Sequence, residues 1–199
     1  VYSNITGIIL SGGKNSRMGT NKALLKIGDR TVIEIIVDVL SSLFSDIIIS
    51  TNSGEELSFL QLPTVADLYQ DAGPLAGIHA ALTHSRTDAN LIISCDLPLM
   101  SREMVDYIVN LPSDKSIVIC RAAGFMQPLP GRYHKRALTA IEEILAAPPQ
   151  HGYRSFLNVF AKIDTEIIEA EQLAFYRDEL FFNMNEYADY KKLGQQPDG

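Results

Sequence analysis

Short apolar runs alternate along this chain with stretches of helical periodicity, and that alternation limits the fold more than any other feature. Thr6–Leu10 (TGIIL), Asp46–Ser50 (DIIIS), Asn90–Ser94 (NLIIS) and Ser116–Cys120 (SIVIC) are short and rich in β-branched residues, the mark of buried strands. Thr31–Leu43 carries Val32, Ile35, Ile36, Val39, Leu40 and Leu43, the stripe of an amphipathic helix. Pro74 opens a helix to about His84, Ser101 is a good N-cap for Arg102–Leu111, and Lys135–Ala147 is helical up to Pro148-Pro149. Weaker signals give a helix at Glu55–Leu60, a strand at Thr64–Ala66, a helix at Ser155–Phe160, a strand at Thr165–Ile168 and a closing helix at Glu186–Leu193, with Gly194–Gly199 a frayed tail. Gln127–Tyr133 reads as a strand, but Pro128 and Pro130 confine it to an edge or an irregular position.

Alternation of this kind predicts βαβ units in an α/β fold: a doubly wound, mainly parallel sheet, Rossmann-like, with helices on both faces. At 199 residues, with no repeat, linker or low-complexity segment, residues 1–199 are expected to form a single domain. In such sheets a ligand sits outside the carboxyl ends of the strands, where strand order reverses. The loops after Leu10, Ser50, Ala66 and Ser94 are therefore expected to face it.

Charge narrows the ligand. The chain carries a net −7, which excludes a protein relying on a broad basic face for nucleic acid. Yet within the first thirty residues Lys14, Arg17, Lys22, Lys26 and Arg30 face only Asp29, a compact cationic stretch suited to a small polyanion. No apolar run approaches a membrane span, and the start lacks the basic-then-apolar pattern of a secretion signal. Two cysteines, Cys95 and Cys120, fit a reducing compartment, so a cytoplasmic location is expected.

The loop after the first strand reads Leu10-Ser11-Gly12-Gly13-Lys14-Asn15-Ser16-Arg17-Met18-Gly19, with Lys22 three residues on. Glycines let backbone N–H groups approach phosphate oxygens, Arg17 offers a planar fork of donors and Lys22 a point charge. The spacing is neither that of a P-loop nor that of the dinucleotide fingerprint. Asp96 falls at the carboxyl end of a buried strand, where a carboxylate is costly unless it is paired or holds a metal. Magnesium takes one or two protein carboxylates together with phosphate oxygens and water, so one Asp suffices beside a triphosphate. Asn52 also falls at a strand end and is a candidate base or ribose partner, set against a plain turn. The histidines show no ligand spacing and the cysteines no CxxC, which leaves a zinc site unsupported.

Leu10-x-Gly12-Gly13-x-x-x-Arg17-Met18-Gly19 followed by Lys22-Ala23-Leu24-Leu25 resembles the signature of the molybdenum cofactor guanylyltransferases, within the wider nucleotidyltransferase family. Four further segments resemble that family in order. They are Asp67 with Gly73-Pro74-Leu75-Ala76-Gly77-Ile78, then Cys95-Asp96-Leu97-Pro98, Gln127-Pro128-Leu129 and Phe182-Asn183-Met184-Asn185. The resemblance implies Mg²⁺-dependent transfer of GMP from GTP to the terminal phosphate of molybdopterin or the molybdenum cofactor. It implies Arg17, Lys22 and Asp96 as catalytic, with Asp96 on the metal. It implies nucleotide binding by Leu10, Ser11, Gly12, Gly13, Asp67, Gly73, Pro74, Leu75 and Gly77, and acceptor binding by Gln127, Asn183 and Asn185. Arg154 is a candidate for the anionic acceptor, weighed against an ordinary charge at a helix start. Partners implied are cofactor-delivery and molybdoenzyme-maturation proteins. The chain departs from the pattern in having Glu186-Tyr187 after Asn185, where Thr-Pro is usual, and Asn21 where Asp is frequent. Residue types alone leave open a cytidylyl or sugar-phosphate nucleotidyltransferase, and a binding module without turnover.

Overall fold

In a computed structural model of the chain, residues 1–12, 21–147 and 156–184 are described. Among them nine strands and five α-helices alternate. The strands are β1 (Tyr2–Leu10), β2 (Lys26–Ile27), β3 (Arg30–Thr31), β4 (Phe44–Ser50), β5 (Thr64–Val65), β6 (Ala89–Ser94), β7 (Ile117–Ala122), β8 (Phe125–His134) and β9 (Thr165–Glu169). The helices are α1 (Val32–Ser41), α2 (Pro74–His84), α3 (Arg102–Asn110), α4 (Leu138–Ala146) and α5 (Phe156–Lys162). The sequence-predicted helix at Glu186–Leu193 and the tail lie outside the described residues.

Seven strands form one sheet in the order β5-β4-β1-β6-β8-β7-β9, and β2 and β3 make a separate small hairpin. Within the sheet every pairing is parallel except those of β8, which runs against both β6 and β7. The chain moves outward from β1 to β4 and β5, then returns to place β6 on the other side of β1. The order therefore reverses between β1 and β6, and their carboxyl ends open a crevice there.

The continuous apolar runs are explained by two cores, one on each face. Along β1, Ile5 and Ile9 enter one cluster while Ile8 and Leu10 enter the other; on β6, Leu91 and Ile93 are divided from Ile92 in the same way. Helices α1 and α3 cover the first face through Ile33, Ile36, Leu40, Met104, Val105 and Ile108. Helices α2, α4 and α5 cover the second through Leu75, Ile78, Leu82, Ile141, Ile144 and Val159. A strand buried on both faces has no polar side to present, so period-2 alternation is absent from its sequence. The N-terminus of α1 is fixed by a reciprocal pair: Thr31 Oγ1 accepts from the Glu34 N–H, and the Glu34 carboxylate accepts from the Thr31 N–H.

Of the two positions expected for Gln127–Tyr133, an edge or an irregular one, the chain takes the irregular one. Strand β8 is interior, lying between β6 and β7, not at an edge. Its two prolines are tolerated because β6 pairs only with Gly131–His134, while β7 pairs with Tyr133 and Arg132 and resumes at Gln127 across an irregularity. Pro128 and Pro130 fall in the skipped stretch, where no ladder donor is required. Tyr133 is fully buried and donates its hydroxyl to the Pro128 carbonyl at 2.8 Å, closing that irregular loop on itself. Arg132 donates to the carbonyls of Val109, Leu111 and Ser113, satisfying the end of α3 and the strand-ward loop from one guanidinium.

Candidate functional site

The crevice at the strand ends has a volume of about 520 Å³, within the range of small-molecule sites. Its floor is an extension of the parallel ladder by one residue beyond each strand. Ser11 N–H donates to Ser50 O at 2.8 Å, Cys95 N–H to Leu10 O at 3.0 Å and Thr51 N–H to Val65 O at 2.8 Å. These bonds fix where the loops depart. All four loops expected to face a ligand do so: Ser11 and Gly12, Asn52 and Ser53, Asp67, and Cys95 and Asp96 line the crevice.

One wall is the N-terminus of α2. Gly73 holds its N-cap position with φ +68, a conformation that a side chain would strain, and Pro74 occupies the first turn. Gly77 is required for close approach: a Cβ there would lie 3.0 Å from Ser50 Oγ and 3.5 Å from Asp67 Oδ1. Gly73, Pro74 and Gly77 thus bring backbone to the crevice with little side chain in front of it. Leu75, by contrast, is 1% exposed and its side chain lies in the core beneath α2, not in the crevice.

Asn52 and Asp67 are locked to one another across two loops. The Asn52 amide donates to Asp67 Oδ2 at 3.0 Å, and the Asp67 N–H donates to Asn52 Oδ1 at 2.9 Å. The pairing sets the tip of the β4 loop against the segment after β5, so Asn52 does more than make a turn. Asp71, with φ +53, continues the same rim.

The charged side of the crevice joins Lys22 and Asp96. Lys22 begins a 3-10 turn, Lys22–Leu24, whose N-cap Asn21 accepts from the Ala23 N–H at 3.1 Å and donates to Glu56 at 2.7 Å. Asn21 performs this capping without the charge of an Asp. The Lys22 ammonium donates to the Met184 carbonyl at 3.2 Å, and the Met184 N–H donates to the Asp96 carbonyl at 2.9 Å. Asp96 Oδ1 is buried with no hydrogen-bond partner among the described residues. An orphaned anionic oxygen in a half-buried carboxylate costs free energy unless a cation meets it, so the donor set fits a hard divalent ion completed by phosphate oxygens and water. Among the described residues no three His, Cys, Asp or Glu side chains cluster as a self-sufficient metal cage.

Cys95 lies between these charges and is 9% exposed. Burial, reinforced by the Asp96 carboxylate, pushes its thiol up to about 12, and burial alone pushes Cys120 up to about 12. Both stay neutral thiols near neutral pH, which removes them as nucleophiles. The fold favours the protonated form, so the unfolded chain releases its thiol protons first. This stabilisation is complete below the ordinary thiol value of 9.0 and is lost as pH rises from there through about 12. Denaturant titrations from pH 9 upward are expected to show falling stability. At pH 8 an aromatic disulfide reagent should label neither thiol until the protein is unfolded; rapid labelling of the folded protein would contradict the burial.

Of the other sequence-predicted residues, Gln127 donates to the Ala122 carbonyl at 3.5 Å on the β7–β8 hairpin and does not line the crevice, whereas Leu129 does. Asn183 turns its amide onto the Phe181 carbonyl at 3.2 Å beside the Met184 contact. Gly13, Arg17, Arg154 and Asn185 lie outside the described residues. Sequence reasoning gave no site role to Ser50, Asn21 or Met184, whose contributions are backbone contacts and a cap.

The sequence matches the MobA-like NTP transferase domain over residues 7–166. A protein of Carboxydothermus hydrogenoformans named as a probable molybdenum cofactor guanylyltransferase is 35% identical over 192 residues, covering 96% of this chain and 95% of its own. One of the same name from Pelotomaculum thermopropionicum is 34% identical, covering 94% and 90%. The fold is shared with the crystal structure of molybdopterin-guanine dinucleotide biosynthesis protein A from Archaeoglobus fulgidus, with a TM-score of 0.79, 22% identity and coverage of 96% and 97% of the two chains. No helix among the described residues is long and apolar enough to cross a membrane.

Proposed function

The chain belongs to the MobA-like NTP transferase family, and from that premise we propose that it transfers GMP from GTP to the terminal phosphate of molybdopterin or its molybdenum form. The observation that carries the reading is the presence of Lys22 and Asp96 on one crevice at the point where strand order reverses. In the reaction a phosphate oxygen of the acceptor attacks the α-phosphorus of GTP. A new P–O bond forms, the bond to the β-phosphate bridging oxygen breaks, and pyrophosphate leaves with its electron pair. The attacking oxygen is already anionic and needs no general base, so the protein's work is alignment and charge neutralisation.

Lys22 and the Gly12 amide hold the triphosphate, with Arg17 and Gly13 assigned to the same task from the sequence. The backbone at Gly73, Pro74 and Gly77 receives the guanine, and the Asn52–Asp67 pair the base or ribose. Asp96 holds the Mg²⁺ that accompanies the nucleotide, which when bound supplies charge stabilisation at the reacting phosphorus. The acceptor approaches from the side of Leu129 and Asn183. Mixing the protein with Mg²⁺, molybdopterin and each of the four NTPs tests this. Pyrophosphate and a dinucleotide product are expected with GTP; product with CTP alone, or tight GTP binding with no product, would overturn the assignment.

A further inference from the structure

Met184 is fully buried, yet it sits in neither of the two main cores. It packs with Val32 in a small separate cluster, bordered by Leu25, Ile27, Leu99 and Phe182. Those neighbours come from the segments that carry the charged residues of the crevice. Leu25 caps the 3-10 turn that begins at Lys22, and its carbonyl accepts from the Val32 N–H at 2.8 Å. Leu99 lies three residues after Asp96, and Ile27 belongs to the small hairpin leading into α1. The main chain of the same methionine reaches both charged residues, accepting from the Lys22 ammonium and donating to the Asp96 carbonyl.

We propose that Met184 is a positioning residue: its buried side chain anchors a carbonyl that holds the Lys22 ammonium in the crevice beside Asp96. This rests on the nucleotide-site reading above. The physical need is plain. A lysine carries a flexible four-carbon stem, and ordering its rotamers opposes every contact it makes. An ammonium has three donors. A bond to a fixed carbonyl pre-orders the stem, so the entropy of ordering is lost on folding and not on binding. A backbone carbonyl can do this only if it is itself immobile. The Met184 side chain, closed between Val32 and Leu99, supplies that. The arrangement also makes the nucleotide site depend on the C-terminal segment that carries Asn183, so the two substrate sides share one structural element.

The test is the affinity of the folded protein for a methylanthraniloyl derivative of GTP with Mg²⁺, titrated by fluorescence beside a thermal melt. Met184→Leu, which keeps the volume, should bind within twofold of wild type. Met184→Ala should weaken binding about tenfold, the scale of losing most of one charge-assisted hydrogen bond, and Met184→Val should move the same way by less, serving if the alanine variant does not fold. Ile141→Ala, an equally buried site in the opposite core, should lower the melting temperature comparably with affinity unchanged. In a Lys22→Met background, Met184→Ala should add less than a twofold effect, because its influence runs through the lysine. Wild-type affinity in folded Met184→Ala, or an equal loss with and without Lys22, overturns the positioning role alone. Wild-type affinity in Lys22→Met overturns it together with the nucleotide-site reading.

Discussion

Replacing Asp96 by asparagine is expected to cut turnover by about 10²–10³, the scale of removing one preorganised charge stabiliser, while the protein stays folded. The substitution keeps the shape of the side chain and the backbone contact between Asp96 and Met184. It removes the charge of a carboxylate whose Oδ1 is buried with no partner among the described residues. A carboxylate placed there for structure would be paired, and its loss would lower stability. An unpaired one burdens the fold, so Asp96→Asn should melt at the wild-type temperature or above it. Activity lost with stability kept or gained is the combination that a purely structural aspartate would not give. Titration of GTP binding against Mg²⁺ gives a second readout: the variant should lose most of the affinity that Mg²⁺ adds to the wild type. Turnover within threefold of wild type in a folded Asp96→Asn protein would sink the assignment.

The parts of this molecule that were legible in the sequence are those where one local rule dominates. Continuous apolar runs such as NLIIS and SIVIC reveal strands buried on both faces, and strand–helix alternation fixes the doubly wound sheet and so the four loops at the crevice. The parts that were not legible depend on pairings made far away in sequence. Strand β8 can be interior because its prolines fall beyond Gly131, where its pairing with β6 stops, a fact about the register with the neighbour and not about the Gln127–Tyr133 segment alone. The β7–β8 turn is built on Ala123 and Gly124, both with positive φ, and an alanine at the first of these positions gives no signal of the kind Asn-Gly would. The contribution of Met184 is likewise invisible: its peptide makes the contacts, and any residue has a peptide. Asn52 was ambiguous between a turn and a ligand partner until its two bonds to Asp67 fixed its direction.

Lys22→Met should lose turnover on a similar scale, about 10²–10³, with a different kinetic signature. The methionine keeps the apolar stem against the 3-10 turn and removes only the ammonium, so the Ala23 core contact and the Asn21 cap survive. The ammonium would contact phosphate in the ground state as well as in the transition state, so KM for GTP and kcat should both suffer with or without Mg²⁺, where the affinity loss of Asp96→Asn should vanish when Mg²⁺ is left out. Lys22→Arg should rescue little. A planar fork cannot keep a single-point contact to the Met184 carbonyl and present its remaining donors where an ammonium would. The double variant Lys22→Met/Asp96→Asn should lose less than the product of the two single losses, since two charges that align one triphosphate act as a unit. Full additivity would mean that the two residues act on separate events, and would place the lysine outside the reacting triphosphate even though both side chains line one crevice.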